Sequence, residues 1–469
     1  MNKIKNILLK IIEREKYAIP MLIIFTIVLL AYWPGILVSD SMVQWNQAQT
    51  GNITNWHPAY NTIYIMMLTK IVNNPGFVLF IQSLIMSLCI GSFLYKLEKY
   101  YKVNKIYLFI ASILLAIIPL NYNSAVVLLK DSLYSSFIVL LASLSFDIIN
   151  DKNYFKNTKN CLKLALLFLV IMLFRHNGII TVFLYGVLLI ILYKKEKGIY
   201  VLTIGSIVVY FLMTTVGFKI LNISEGNYAN KYGPISHIFA RVLNEDKELL
   251  SKKDLKELAK YVDIKKLEDT YNPYNMDYSI NCQNIKYIKK HSNSYIKLAL
   301  KTFKKNPWIF IKHYLYLDSF LYSPIEFKDS GFVGMFTETD LWVYNEQYNY
   351  LNENSKFKKL LPILKKNSID FQTGEKGKYT MRPPLYLYIS LIITIVLGYC
   401  KKNKKIILIS LISLFNIIGL AIAMPVAMTR YVYSTILIGY LTIIWFIYEL
   451  YSKIIIKRRD SSNEENKSN

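Results

Sequence analysis

Long runs of apolar residues separated by short polar stretches dominate the chain. From Tyr17 to Val38 no charged side chain interrupts the sequence. At about 1.5 Å rise per residue, that run is long enough for a hydrocarbon core of roughly 30 Å. Comparable runs lie near 77–95, 106–120, 125–147, 161–174, 177–193, 199–221, 384–400, 406–424 and 431–452. The pattern predicts an all-α polytopic membrane protein with about ten transmembrane helices. The pair 161–193 is short for two spans and long for one, and a tight hairpin at Arg175-His176-Asn177-Gly178 is the expected solution.

Segment 222–383 is the exception, with mixed charge and enough length for a small core of its own. Within it, 251–262 has helical spacing, and Pro307 opens an aromatic-aliphatic stretch, 308–322, that suits a helix lying at the membrane surface. The expected organisation is a seven-span module, 1–221, an extracytoplasmic and mainly helical domain, 222–383, a three-span module, 384–452, and a cytoplasmic tail, 453–469. No repeat relates the two membrane modules, which removes the usual signature of a secondary transporter.

Composition agrees with the pattern: 54% of the residues are hydrophobic and the mean hydropathy is +0.29. The formal net charge of +25 comes from lysines in short clusters between apolar runs, not from one basic face. Nucleic acid is therefore not an expected partner, and the headgroups of a lipid bilayer are. One set of alternate short segments, including Lys3, Lys5 and Lys10 at the N-terminus, holds about 25 basic residues, and the other holds about four, Lys70, Lys130, Arg175 and Arg430. This bias predicts a multi-pass protein of the cell membrane with both termini cytoplasmic and 222–383 outside. The basic flank ahead of residue 17 reads as an uncleaved signal anchor. Cys89, Cys161, Cys282 and Cys400 are scattered singly and indicate neither a disulfide framework nor a zinc site.

Under this topology Asp40, His57, Lys130, Asp131, Arg175, His176, Asn177 and Arg430 gather on the outer side. Ionisable groups near membrane depth are expensive, so several on one face suggest a site. Each also has an ordinary explanation. Asp40 suits a helix cap, His57 beside Trp56 suits interfacial packing, and the two arginines suit snorkelling to headgroups. Lys130-Asp131 is harder to dismiss, since it interrupts an otherwise uncharged stretch from Ile106 to Phe146 and adjacent helical side chains diverge by about 100°.

The architecture, together with Ser39-Asp40-Ser41, Trp56-His57-Pro58, Lys130-Asp131-Ser132, Arg175-His176-Asn177-Gly178 and Arg430-Tyr431, resembles the GT-C superfamily of membrane glycosyltransferases, nearest to the protein-mannosyltransferase and aminoarabinose-transferase type. The resemblance implies a polyprenyl-phosphate-linked sugar as donor and a glycan, lipid or protein hydroxyl as acceptor. It implies Asp40 and Asp131 as catalytic carboxylates and Lys130, Arg175 and Arg430 as ligands of the donor phosphate. Gln44, Trp45, Trp56, His57, Asn177 and Tyr431 would contact substrate. It also brings a divalent cation, Mg or Mn, as the one cofactor to consider. The first outer loop carries a single Asp40 in place of an acidic pair, so no metal ligand is assigned. The competing classes are a transporter or flippase of lipid-linked saccharides and an outer-leaflet polysaccharide polymerase or ligase. No Ser-His-Asp or Cys-His spacing supports a hydrolase, and no glycine-rich phosphate loop supports a nucleotide-dependent enzyme.

Overall fold

A computed structural model describes residues 12–226, 228–327, 353–422 and 424–468. Lys3, Lys5 and Lys10 lie outside the described residues. What is described is helical, with only isolated bridges between extended segments, and forms an all-α membrane protein. Among the described residues, six helices are long and apolar enough to cross a membrane. They are α4 (Pro75–Tyr101), α7 (Lys130–Asn150), α10 (Lys197–Leu212, continuing through a π-type turn to Ile220), α17 (Pro383–Cys400), α18 (Leu408–Ala421, with its leading turn from Lys404) and α19 (Tyr433–Ser468, with its leading turn from Thr429). The bent pair α5 (Lys105–Ile117) and α6 (Pro119–Val126) makes a seventh if counted as one span. Three further expected spans coincide with shorter helices, α1 (Ala18–Ala31), α8 (Thr158–Phe174) and α9 (Gly178–Leu192).

Two boundaries differ from the apolar pattern. The first run, 17–38, is helical only to Ala31. Pro34 brings no backbone donor, and Gly35 turns the chain at φ +109°, a conformation that favours glycine. A Cβ at Gly35 would also overlap Leu79 Cδ1. Residues 36–38 then run extended beside 126–128, with Ile36 N–H donating to the Val126 carbonyl and Leu128 N–H to the Ile36 carbonyl, both at 3.0 Å. Likewise the run 125–147 starts its helix only at Lys130, because α5 breaks at Pro119 and α6 departs from it by 67°.

A break inside an apolar bundle exposes backbone carbonyls that no water can satisfy cheaply. Here the fully buried amide of Gln82, on α4, donates to the carbonyls of Ser124 at 2.9 Å, Val127 at 2.8 Å and Ala125 at 3.3 Å. One side chain thus closes the end of α6 and fixes the strand-like lead into Lys130. The main core surrounds this junction and runs from Tyr17 to Trp445.

A second core is built from α11 (Tyr228–Glu245), α12 (Lys252–Leu258), α13 (Ile264–Asp269), α15 (Ile285–Lys305) and α16 (Pro307–Leu317), with Phe239, Leu258, Tyr261, Ile288 and Tyr295 fully buried, and α14 (Asp277–Ile280) packs on α11. Pro307 opens α16 as expected, capped by the Asn306 side chain, which accepts from Trp308 N–H at 3.2 Å. This unit docks on the segment ahead of Arg430: Met276 N–H donates to the Pro425 carbonyl at 2.8 Å, and Asn275 bridges Val426.

Candidate functional site

Asp40 lies in the first turn of α2 (Ser39–Thr50). The cap is made by a neighbour: the Ser41 hydroxyl accepts from Val38 N–H at 3.2 Å and donates to the Leu128 carbonyl, tying α2 to the extended lead of α7. The Asp40 carboxylate is therefore free to face inward. Its Oδ2 accepts from Lys130 Nζ at 3.0 Å and stands 3.1 Å from an Arg430 Nη. Lys130 Nζ is 3.9 Å from Asp131, and Asp131 Oδ1 is 2.7 Å from Arg175. Five charges from four separate parts of the chain form one line, Arg430, Asp40, Lys130, Asp131, Arg175. Asp131 is fully buried and its oxygens accept no aligned hydrogen bond among the described residues, so its pairing with Arg175 is ionic contact alone.

Arg175 also donates to the Tyr431 carbonyl at 3.1 Å, and its guanidinium lies 4.5 Å from the Tyr431 ring centre. The Arg430 guanidinium is 5.2 Å from the same ring. Tyr431 thus separates two like charges while presenting a π face to each. Behind them, Tyr134 donates to the Asn416 amide oxygen at 2.7 Å, and Asn177 donates to the same oxygen at 3.0 Å. Arg175 sits 5.6 Å from the Tyr134 ring. Tyr134 comes one helical turn after Asp131, the spacing that could have marked it in the sequence.

Electrostatics follow from this packing. Burial alone would raise the Asp40 carboxyl, but Lys130, Arg430 and His57 override it and hold the group well below the usual carboxylate range. Its pairing therefore adds stability above the ordinary value near 3.8, and that contribution is lost as the pH falls below it. His57 is lowered to about 4, first by burial and then by Lys130, so it is neutral at pH 7. Three cations then face two carboxylates, leaving one positive charge in the line. Asp277, in the first turn of α14, adds a carboxylate that sequence reasoning gave no signal for. It is raised by burial and by Asp40, while Arg430 acts against the shift.

The other expected contacts divide. Trp56 is exposed and stacks on His57 with ring centres 5.0 Å apart, keeping both beside the line of charges. Gln44 is buried: it donates to the Thr62 hydroxyl at 3.1 Å and accepts from Asn61 at 3.2 Å, clamping α2 to α3 (Ala59–Thr69). Trp45 is half-buried against the main core.

A family model described as a family of unknown function, DUF6020, matches residues 44–467. The chain belongs to the DUF6020 family. Comparison with curated proteins and with solved structures gives no match. The DUF6020 match spans Lys130, Asp131, Arg175 and Arg430 and begins just after Asp40.

Next to the line of charges, this DUF6020 chain has a cavity of about 520 Å³, lined by Asn55, Tyr60, His176, Tyr210, Phe218 and Lys219 among others. Its outer wall is the end of α10, whose π-type turn at Met213–Gly217 has no buried residue. Two loops join cavity and charges: Asn55 and Pro58 flank the turn of His57, and His176 follows Arg175. A metal ion fits the donor set poorly. Asp40 and Asp131 are both engaged by cations, and the described residues contain no group of three or more His, Cys, Asp or Glu able to hold one.

Proposed function

We propose that this chain is a GT-C-like membrane glycosyltransferase, which moves a sugar from a polyprenyl-phosphate donor to an acceptor hydroxyl at the outer membrane face. The observation that carries the reading is the buried line Arg430, Asp40, Lys130, Asp131, Arg175, three cations against two carboxylates, with Asp277 raised by burial beside it. A sugar phosphodiester carries one negative charge, and buried charges persist where they are paired. The cavity under His176 gives the lipid arm of such a donor a place beside the phosphate.

In this reading Lys130, Arg175 and Arg430 bind the donor phosphate and stabilise the charge that grows on it as the bond from the anomeric carbon breaks. Drawing Lys130 and Arg430 onto the phosphate loosens their hold on Asp40. The freed carboxylate takes the proton of the acceptor hydroxyl while that oxygen forms the new glycosidic bond. The electron pair of the broken bond leaves with the polyprenyl phosphate. Asp131 keeps Arg175 and Lys130 aimed, and Tyr431 and Trp56 offer faces to sugar rings. No step needs a metal.

The assay that tests the substrate class offers purified protein a polyprenyl-phosphate sugar or a soluble nucleotide sugar. Transfer is expected from the lipid-linked donor alone. Robust transfer from the nucleotide sugar without lipid carrier would refute the reading, and binding of the lipid donor with no transfer would favour a flippase.

Outward orientation belongs to the same proposal, with both termini cytoplasmic and about ten crossings. In a background without Cys89, Cys161, Cys282 and Cys400, single cysteines at positions 40 and 430 are expected to react with an impermeant thiol reagent added from outside. Reaction only after permeabilisation would reverse the topology.

A further inference from the structure

The helical unit above the bundle holds a second polar cluster that the line of charges does not use. His237 and Arg241 lie one turn apart on α11 and face His313 of α16. The two imidazoles meet edge to face with ring centres 4.8 Å apart, and the Arg241 guanidinium lies 4.7 Å from the Tyr316 ring centre. His237, Arg241 and His313 have no solvent exposure.

Their hydrogen-bonding capacity is mostly unspent. Arg241 Nη1 donates to Glu245 at 2.8 Å, and the outer edge is closed by Lys312, also 2.8 Å from Glu245. His237 Nε2 lies 2.8 Å from the Asn272 carbonyl, an acceptor, so this nitrogen carries the proton and Nδ1 holds a lone pair. That leaves His237 Nδ1 and both nitrogens of His313 buried without a partner, and Nε and Nη2 of Arg241 without an aligned hydrogen bond, with Tyr271 beside the guanidinium. A buried unsatisfied polar group is costly, and three at one point are not left empty by a stable fold.

The character of the missing partner follows from the atoms. Arg241 and one His313 nitrogen supply N–H donors, whereas only two ring nitrogens accept. Two cations, Arg241 and Lys312, share the single carboxylate of Glu245. A cation would stand against the guanidinium; an anion rich in acceptor oxygens and carrying a hydroxyl proton matches both donors and lone pairs. We propose that His237, Arg241 and His313 form a binding site for a phosphate group in its monoanionic form, enclosed within the extramembrane helical unit and separate from the line of charges around Lys130.

The test uses the full-length protein in detergent and follows thermal unfolding against inorganic phosphate, glycerol 1-phosphate, or chloride at equal ionic strength. Phosphate is expected to raise Tm saturably in the wild type and in Lys130→Met, and the rise should vanish in His313→Phe. A rise with inorganic phosphate alone assigns a free ion. An equal rise with glycerol 1-phosphate assigns the terminal phosphate of a larger molecule. If neither raises Tm, the cluster holds only water and the proposal is overturned, whatever the stability of His313→Phe. It is equally overturned if the rise survives in His313→Phe and disappears in Lys130→Met. Should His313→Phe fail to fold, hydrogen exchange in the wild type decides: phosphate must slow exchange of amides in 237–241 and 309–317, and no slowing there rejects the site.

Discussion

Asp40→Asn is expected to lower sugar transfer by at least about a hundredfold while the protein still inserts and binds its donor, because positioned proton transfer contributes roughly 10² to 10⁴ in rate. The amide keeps the size of the side chain but has no basicity. Its structural cost is modest. Ser41, not Asp40, caps α2, and Lys130 retains Asp131 nearby at 3.9 Å. The Asp40 side chain is 22% exposed, so its ion pairs are partly screened by water. Turnover per folded molecule is the measurement, with Tm in detergent recorded beside it. Near-normal turnover would leave Asp40 as an ionic strut and remove the general base from the mechanism. Lys130→Met should also be severe through loss of leaving-group stabilisation, whereas His57→Gln should be milder, since the ring is neutral and stacked on Trp56.

Asp131→Ala is expected to be the most destabilising single change at the site. Asp131 is fully buried at 2.7 Å from Arg175, which is itself 8% exposed. Removing one member of such a pair strands the other charge and typically costs about 3–5 kcal/mol. Replacing both members by apolar groups is often neutral, because no lone charge remains. Asp131→Ala alone should therefore lower yield and Tm sharply, and adding Arg175→Met should recover most of the stability. Transfer should stay absent in the double variant, since the phosphate has lost a ligand. A double variant as unstable as the single would show that Arg175 is held chiefly by Tyr431 and Tyr134, not by Asp131.

The helices were written in the sequence, because lipid imposes a one-dimensional rule: an apolar run must satisfy its own backbone, and a helix does so locally. Each expected run coincides with a helix, Pro307 opens one as spacing placed it, and the segment after Ser251 is helical over Lys252–Leu258. Asp40, Lys130, Asp131, Arg175 and Arg430 were also legible, since charges bordering apolar runs stand out against their surroundings. Their pairing was not. Nothing in the order of residues tells that Asp40 meets Lys130 and Arg430, or that Asp131 meets Arg175, because these contacts join segments far apart in the chain. The ends of the runs at Ala31 and Lys130 were equally hidden, as they depend on Gly35 passing Leu79 and on Gln82 collecting three carbonyls from another segment. The clamp that Gln44 makes from α2 to α3, and the seat of Trp45 against the main core, were hidden for the same reason. Asp277 and the cluster of His237, Arg241 and His313 carried no local signature, because a side chain's chemistry is set by what the fold buries it against, and that is decided only when distant helices meet.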